Sequence, residues 1–274
     1  MKMRNIGVSI INKGWLIVAV FFFVSGCQQN LSEQKKKSTG FQNANGPAKK
    51  ELPVKQAPTK KAWVPLTDEN LEKELTAYGK ENPETLILLK TPKGNMKIRL
   101  YKNTPLHRAN LVRLIKNNFY TGTVFYRVID HFMIQGGDSD DWSRQTIKSK
   151  MGNYTLPAEI NSENIHQKGA LSMAREYENN PDKRSVPFEF FIVQGVKYTP
   201  AELSALEKQY NITISPEHKK IYETVGGCPH LDGQHTVFGQ VIDGLSVIDS
   251  IAAVPVDKSN WPIDDVTISF QILD

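Results

Sequence analysis

A rhythm of short apolar runs limits what this chain can fold into. From residue 169 onward such runs alternate with polar loops: GALSMAR (169–175), FEFFIVQG (188–195), TVFGQVIDG (236–244) and VTISFQIL (266–273). Each has the length of a strand. Upstream, TLILLKTPKGNMKIRLY sets two β-rich runs around the turn signal TPKGN, so residues 85–101 read as a hairpin. FYRVIDHFMIQGGD (125–138) adds an extended segment closed by Gly136-Gly137, a pair suited to a tight turn. Many short strands and few helices predict a mainly β barrel or sandwich.

The helices are fewer and carry clear start signals. TDENLEKELTAYG reads as a helix capped by Thr67, with Leu71, Leu75 and Tyr78 on one face. TPLHRANLVRLIKNNFY reads as a second, with Thr104 as cap and Pro105 at the first helical position. YTPAELSALEKQYN carries a capping box, Thr199 with Glu202, and SPEHKKIYETVGG repeats the Ser-Pro start. Residues 199–227 therefore read as a two-helix insert between strands.

The N-terminus has a different character. Lys2, Arg4 and Lys13 precede the apolar run GWLIVAVFFFV, which is too short for an ordinary transmembrane helix. VSGC follows at 24–27 and resembles the lipobox of bacterial lipoproteins, in which the cysteine is acylated and becomes the new N-terminus. This divides the chain into a signal peptide (1–26), a tether starting at lipid-bearing Cys27 (27–62), a helical extension (63–83) and a folded domain (84–274). Residues 28–62 have few large apolar side chains and cannot offset the entropy of ordering, so disorder is expected. Of the chain's net +5, the leader holds +3 and the tether +6, which leaves −4 on residues 63–274. A mildly acidic domain argues against a nucleic-acid partner. With Cys27 assigned to lipid, Cys228 has no partner and a disulfide framework is excluded.

Within FYRVIDHFMIQGGD, strand alternation puts Phe125, Arg127 and Ile129 on one face, a guanidinium between two apolar side chains. That segment, with GALSMAR, EFFI and LDGQHTVFGQV in the same order, resembles the cyclophilins, the cyclosporin-binding family of peptidyl-prolyl isomerases. The resemblance covers roughly residues 84–274 apart from the insert. It implies a closed eight-stranded antiparallel barrel with a helix at each end and a substrate groove on the outside.

By the same resemblance, Arg127 matches the catalytic arginine and Gln135 the glutamine that steadies it. Phe132, Met133, Phe191, Leu231 and His235 match the proline pocket. Ala174 and Arg175 match the stretch that binds substrate backbone. Two further groove positions depart from the family's usual residues. Glu189 stands where a glutamine is usual, and His230 where eukaryotic members carry the tryptophan that hydrogen-bonds cyclosporin. No cofactor or metal is implied. The expected partners are X-Pro-containing polypeptides, and the expected setting is the bacterial cell envelope, with a monomer lipid-anchored and facing the periplasm or exterior.

The chemistry fits such a site. Prolyl isomerisation needs no nucleophile, metal or acid–base pair, only stabilisation of a twisted amide whose nitrogen has regained a lone pair. A guanidinium in a water-poor groove supplies it. Three other readings carry less. Cys228, His230 and His235, with Asp232, are zinc-ligand types at a spacing that fits no common zinc pattern. DSDD at 138–141 lacks the glycine and glutamate of a calcium loop. A peptide-binding module without turnover is the rival from another class, because a carboxylate at Glu189 could pair with Arg127 and weaken it.

Overall fold

A computed structural model of the chain describes residues 64–138 and 143–274. The leader, Cys27, the tether and residues 139–142 lie outside the described residues. Among those described, no helix is long and apolar enough to cross a membrane.

The described residues form ten strands: β1 (Leu66–Thr67), β2 (Leu86–Thr91), β3 (Gly94–Leu100), β4 (Thr123–Ile129), β5 (Met133–Asp138), β6 (Gly152–Asn153), β7 (Ala170–Met173), β8 (Phe190–Val193), β9 (Val237–Asp243) and β10 (Thr267–Ile272). Eight of them close a barrel in the order β10-β2-β3-β9-β7-β8-β5-β4, with every neighbouring pair antiparallel. Closure removes the open edges that would otherwise invite pairing with another chain. The remaining two, β1 and β6, form a short parallel pair. The barrel interior is filled by alternate residues, among them Ile87, Leu89, Met96, Ile98, Ile134, Ile192 and Phe238, all fully buried.

Six α-helices accompany the strands among the described residues: α1 (Leu71–Glu81), α2 (Pro105–Lys116), α3 (Ser143–Met151), α4 (Pro200–Tyr210), α5 (Pro216–Thr224) and α6 (Leu245–Ala252). Nine of the twelve residues of α2 are buried, because it lies between α1 and the barrel. Thr104 precedes α2 as expected, but its side chain makes no capping bond. Glu159 does that work from far along the chain, accepting the Leu106 and His107 N–H groups at 2.9 Å each. A carboxylate there also suits the positive end of the helix. Helix α1 starts later than its sequence suggests. Thr67 is drawn into β1 against Asn153, and Asn70 takes the N-cap position. Leu71 and Leu75 join the barrel's core. Helices α3 and α6 lie outside the helical segments expected from the sequence.

The insert has the predicted helices and caps. Thr199 Oγ1 accepts the Glu202 N–H, and Glu202 answers on the Thr199 N–H at 2.7 Å. Ser215 caps α5. The two helices enclose a small core of their own, Leu203, Ile214 and Tyr222 with Ile165.

Residues 123–138 form a hairpin rather than one strand. The turn falls at Asp130–Phe132 and needs neither glycine nor proline, with His131 in the left-handed region at φ 63°. Gly136 and Gly137 sit inside β5 instead of ending it. A Cβ on Gly136 would meet Ile268 Cδ1 at 2.6 Å, and one on Gly137, at φ 110°, would meet the Phe188 carbonyl at 2.3 Å. Close packing of the barrel wall, not a turn, requires these glycines.

The register of β4 on β5 is irregular. Phe125 pairs with Gly136, but Arg127 pairs with Gln135, so Tyr126 is one residue too many. This β-bulge changes the phase of the strand. Phe125 points into the core and Arg127 points out, although their spacing puts them on one face of a regular strand.

Tyr222 ties the insert to the barrel by donating its hydroxyl to Asp232 Oδ2 at 2.6 Å. Tyr222→Phe should lower the unfolding free energy by roughly 1.5–3 kcal/mol, the range for a bond to a charged acceptor. Denaturant titration reads this directly, and an unchanged midpoint would show that the bond does not anchor the insert.

Candidate active site

Ten residues line one open depression on the outer wall: Arg127, Phe132, Met133, Gln135, Ala174, Arg175, Tyr177, Phe191, Leu231 and His235. They come from β4, β5, β8, the β4–β5 turn, the loop after β7 and the segment before β9. Met133, Phe191 and Leu231 pack with Ala170, Val193, Cys228 and Val237 in an apolar cluster separate from the main core, and Phe132 packs against it. The floor of the depression is therefore apolar, with the guanidinium side chains of Arg127 and Arg175 in its lining.

Arg127 and Gln135 are cross-strand partners, and Arg127 Nη1 donates to Gln135 Oε1 at 3.2 Å. His235 is 7 % exposed. Its Nδ1 donates to the Met173 carbonyl at 3.1 Å and its Nε2 accepts the Tyr177 hydroxyl at 2.7 Å. Both bonds suit one neutral tautomer. Burial is the main reason that its pKa falls to about 4.

Two matched residues in the lining also bond within the protein. The Arg175 guanidinium lies over the Tyr177 ring at 4.1 Å, and its Nε donates to the Gln234 carbonyl at 2.7 Å. Ala174 donates its N–H to the Glu189 carbonyl at 2.9 Å, and its own carbonyl accepts from Val186. Glu189 and His230 are not among the residues lining the depression. Glu189 Oε2 accepts the Tyr126 hydroxyl at 2.6 Å, and Lys148 Nζ lies 3.8 Å from Oε1. His230 stacks on Phe132 at 5.8 Å and under Tyr210 of the insert at 5.3 Å, so the insert reaches the rim of the site. Burial lowers its pKa.

Sequence reasoning missed Tyr177 and Tyr126. Tyr177 sits in a loop with no periodicity, and Tyr126 is the extra residue of a bulge that alternation does not reveal. The zinc-type residues turn to separate partners. His230 is stacked, His235 is bonded as above, and the Cys228 thiol faces the Phe132 carbonyl at 3.7 Å. Asp232 Oδ1 accepts the His166 N–H and pairs with His166 Nδ1 at 2.9 Å. Among the described residues, no group of three such side chains is placed to hold a metal. His166 Nε2 in turn meets Ser172 Oγ at 3.1 Å. This has the order of a hydrolase triad, but Ser172 and His166 are wholly buried and Ser172 spends its proton on the Thr236 carbonyl. It braces the wall behind Phe191, whose ring stacks on His166. The Cys228 thiol is 2 % exposed, and burial, with the Asp232 charge adding to it, pushes its pKa up to about 12.

The model of the family "Cyclophilin type peptidyl-prolyl cis-trans isomerase" matches residues 86–271. The chain belongs to that family. A Staphylococcus aureus (strain USA300) relative, whose name places it among the peptidyl-prolyl cis-trans isomerases, is 35% identical over 186 residues, 68% of this chain and 89% of the relative. A Streptococcus pyogenes protein named as a bifunctional phosphatase/peptidyl-prolyl cis-trans isomerase is 35% identical over 187 residues, 66% of this chain but 37% of its own length. The crystal structure of a Cryptosporidium parvum cyclophilin-type isomerase shares the fold, with a TM-score of 0.50 at 23% identity, covering 70% of this chain and 98% of that one. The protein is thus a cyclophilin-type peptidyl-prolyl cis-trans isomerase, and its closed barrel is that family's fold.

The low pKa of His235 has a signed consequence. Below its ordinary value of 6.5 the unfolded chain takes up a proton that the folded chain refuses. Its contribution to stability is complete above pH 6.5 and is lost as pH falls toward 4. The stability gap between wild type and His235→Gln should therefore narrow by roughly 2 kcal/mol from pH 7 to pH 5. A gap that stays constant in denaturant titrations at the two pH values would contradict a buried neutral imidazole.

Proposed function

We propose that Arg127 drives the isomerisation by stabilising the twisted prolyl amide. Rotation about an ordinary peptide bond faces a barrier of roughly 18–20 kcal/mol because nitrogen shares its lone pair with the carbonyl. At the barrier the lone pair returns to nitrogen and can accept a hydrogen bond. A guanidinium donates there and keeps its own proton. Its bond is stronger to the twisted amide than to the planar one, as catalysis requires. Phe132, Met133, Phe191 and Leu231 hold the pyrrolidine ring while the rest of the peptide turns.

The observation that carries this reading is the position of Arg127: outward-facing, at the lip of the apolar floor, and bonded to Gln135. Glu189, the group whose charge could have blunted it, is engaged by Tyr126 and has Lys148 as a cationic neighbour. Arg127→Ala should lower turnover of an X-Pro peptide by roughly 10²–10³, the scale for losing one preorganised donor. NMR exchange spectroscopy measures it without a coupled protease. Undiminished turnover in a folded variant would refute the role.

The reading extends to the setting. The chain acts on exported polypeptides as a lipoprotein held to a bacterial membrane through Cys27, working as a single copy. The support is the order of basic start, apolar run and VSGC, followed by a polar spacer. Cys27→Ser should abolish lipid modification, which mass spectrometry of the mature protein detects. A wild-type lipid mass in the variant would remove the anchor from this account.

A further inference from the structure

The groove glutamine is one link in a longer chain of hydrogen bonds. Gln135 Nε2 donates to the Tyr126 hydroxyl oxygen, and that hydroxyl donates to Glu189 Oε2 at 2.6 Å. At the other end Arg127 Nη1 donates to Gln135 Oε1. The three bonds run in one direction, from guanidinium to carboxylate. The Tyr126 ring is held from the side by Trp261, with centroids 5.8 Å apart.

We infer that Glu189 and Tyr126 are positioning residues that fix which end of the Gln135 amide faces Arg127. An ionised carboxylate only accepts. Tyr126 must therefore donate to Glu189, and its oxygen is left to accept. The Gln135 NH2 group fills that role, so the amide oxygen is turned to Arg127. A reversed amide would set NH2 against guanidinium, donor against donor. A neutral amide at position 189 could donate as well as accept, so the Tyr126 hydroxyl would no longer be held as a donor to it, and its grip on the Gln135 NH2 group would weaken. The bulge is what makes the relay possible, because Tyr126 is the residue it adds between Phe125 and Arg127.

This inference rests on Arg127 being the group that meets the prolyl nitrogen. Its test separates the two claims. Tyr126→Phe keeps the ring and removes the relay; Glu189→Gln keeps size and removes the acceptor-only end. For an Ala-Pro peptide each should lower kcat by roughly threefold to tenfold, the effect of one weakened hydrogen bond, and leave KM unchanged. The double variant should be no worse than either single one, since the residues act through one path. In an Arg127→Ala background Tyr126→Phe should cost nothing further. Thermal midpoints above the assay temperature show that each variant is folded. If Arg127→Ala abolishes turnover while both single variants keep full kcat, raise only KM or lose kcat additively, the relay is refuted and the role of Arg127 stands. If Arg127→Ala keeps its turnover, the reading of Arg127 falls and this inference falls with it.

Discussion

The pairing of β4 with β5 is the constraint on which the site depends. A closed barrel allows each strand residue to face either in or out, and the inward set must be apolar. Phe125, Val128, Ile134 and Gly136 meet that demand. Arg127 must face out, and the two-residue step from Phe125 would not allow it in a regular strand. One extra residue resolves the conflict. The same bulge turns the guanidinium to the groove, where it pairs with Gln135, and leaves Tyr126 bonded to Glu189 and Gln135.

The candidate site is an outer surface made by the same strands that make the core. Along β5, Met133 and Gln135 serve the groove while Ile134 and Gly136 serve the interior. Every residue of the strand is committed. This explains why glycine is needed at 136 and 137, where the wall thins against Ile268 and the Phe188 carbonyl. The groove's back is braced in turn by His166, Asp232 and Ser172, a hydrogen-bonded polar group that also reaches the insert through Tyr222.

Much of this was legible in the sequence where local signals coincide with the tertiary outcome. The β2–β3 hairpin, the start of α2 at Pro105 and both insert helices follow from turn residues and caps. The misses share a cause. Thr67 left its helix for a parallel strand partner far along the chain, and Glu159 took over the capping of α2 from a distance. Neither event has a local signature. The bulge at Tyr126 was invisible for a related reason, since periodicity assumes the regular strand that a bulge interrupts. For the site, a resemblance of motifs pointed to Arg127, Gln135 and the pocket, and no pattern could show that Glu189 turns to Tyr126 or that Tyr177 bonds His235.

Cys228 lies behind the pocket, against the Phe132 carbonyl. With its proton held so firmly, the sulfur offers almost no thiolate at neutral pH, and thiolate is the form that exchanges disulfides or meets oxidants. Among the described residues it is the one cysteine. Burial shields this thiol from partners as well as from ionisation. Cys228 therefore offers this isomerase little route to a mixed disulfide with any polypeptide that carries thiols.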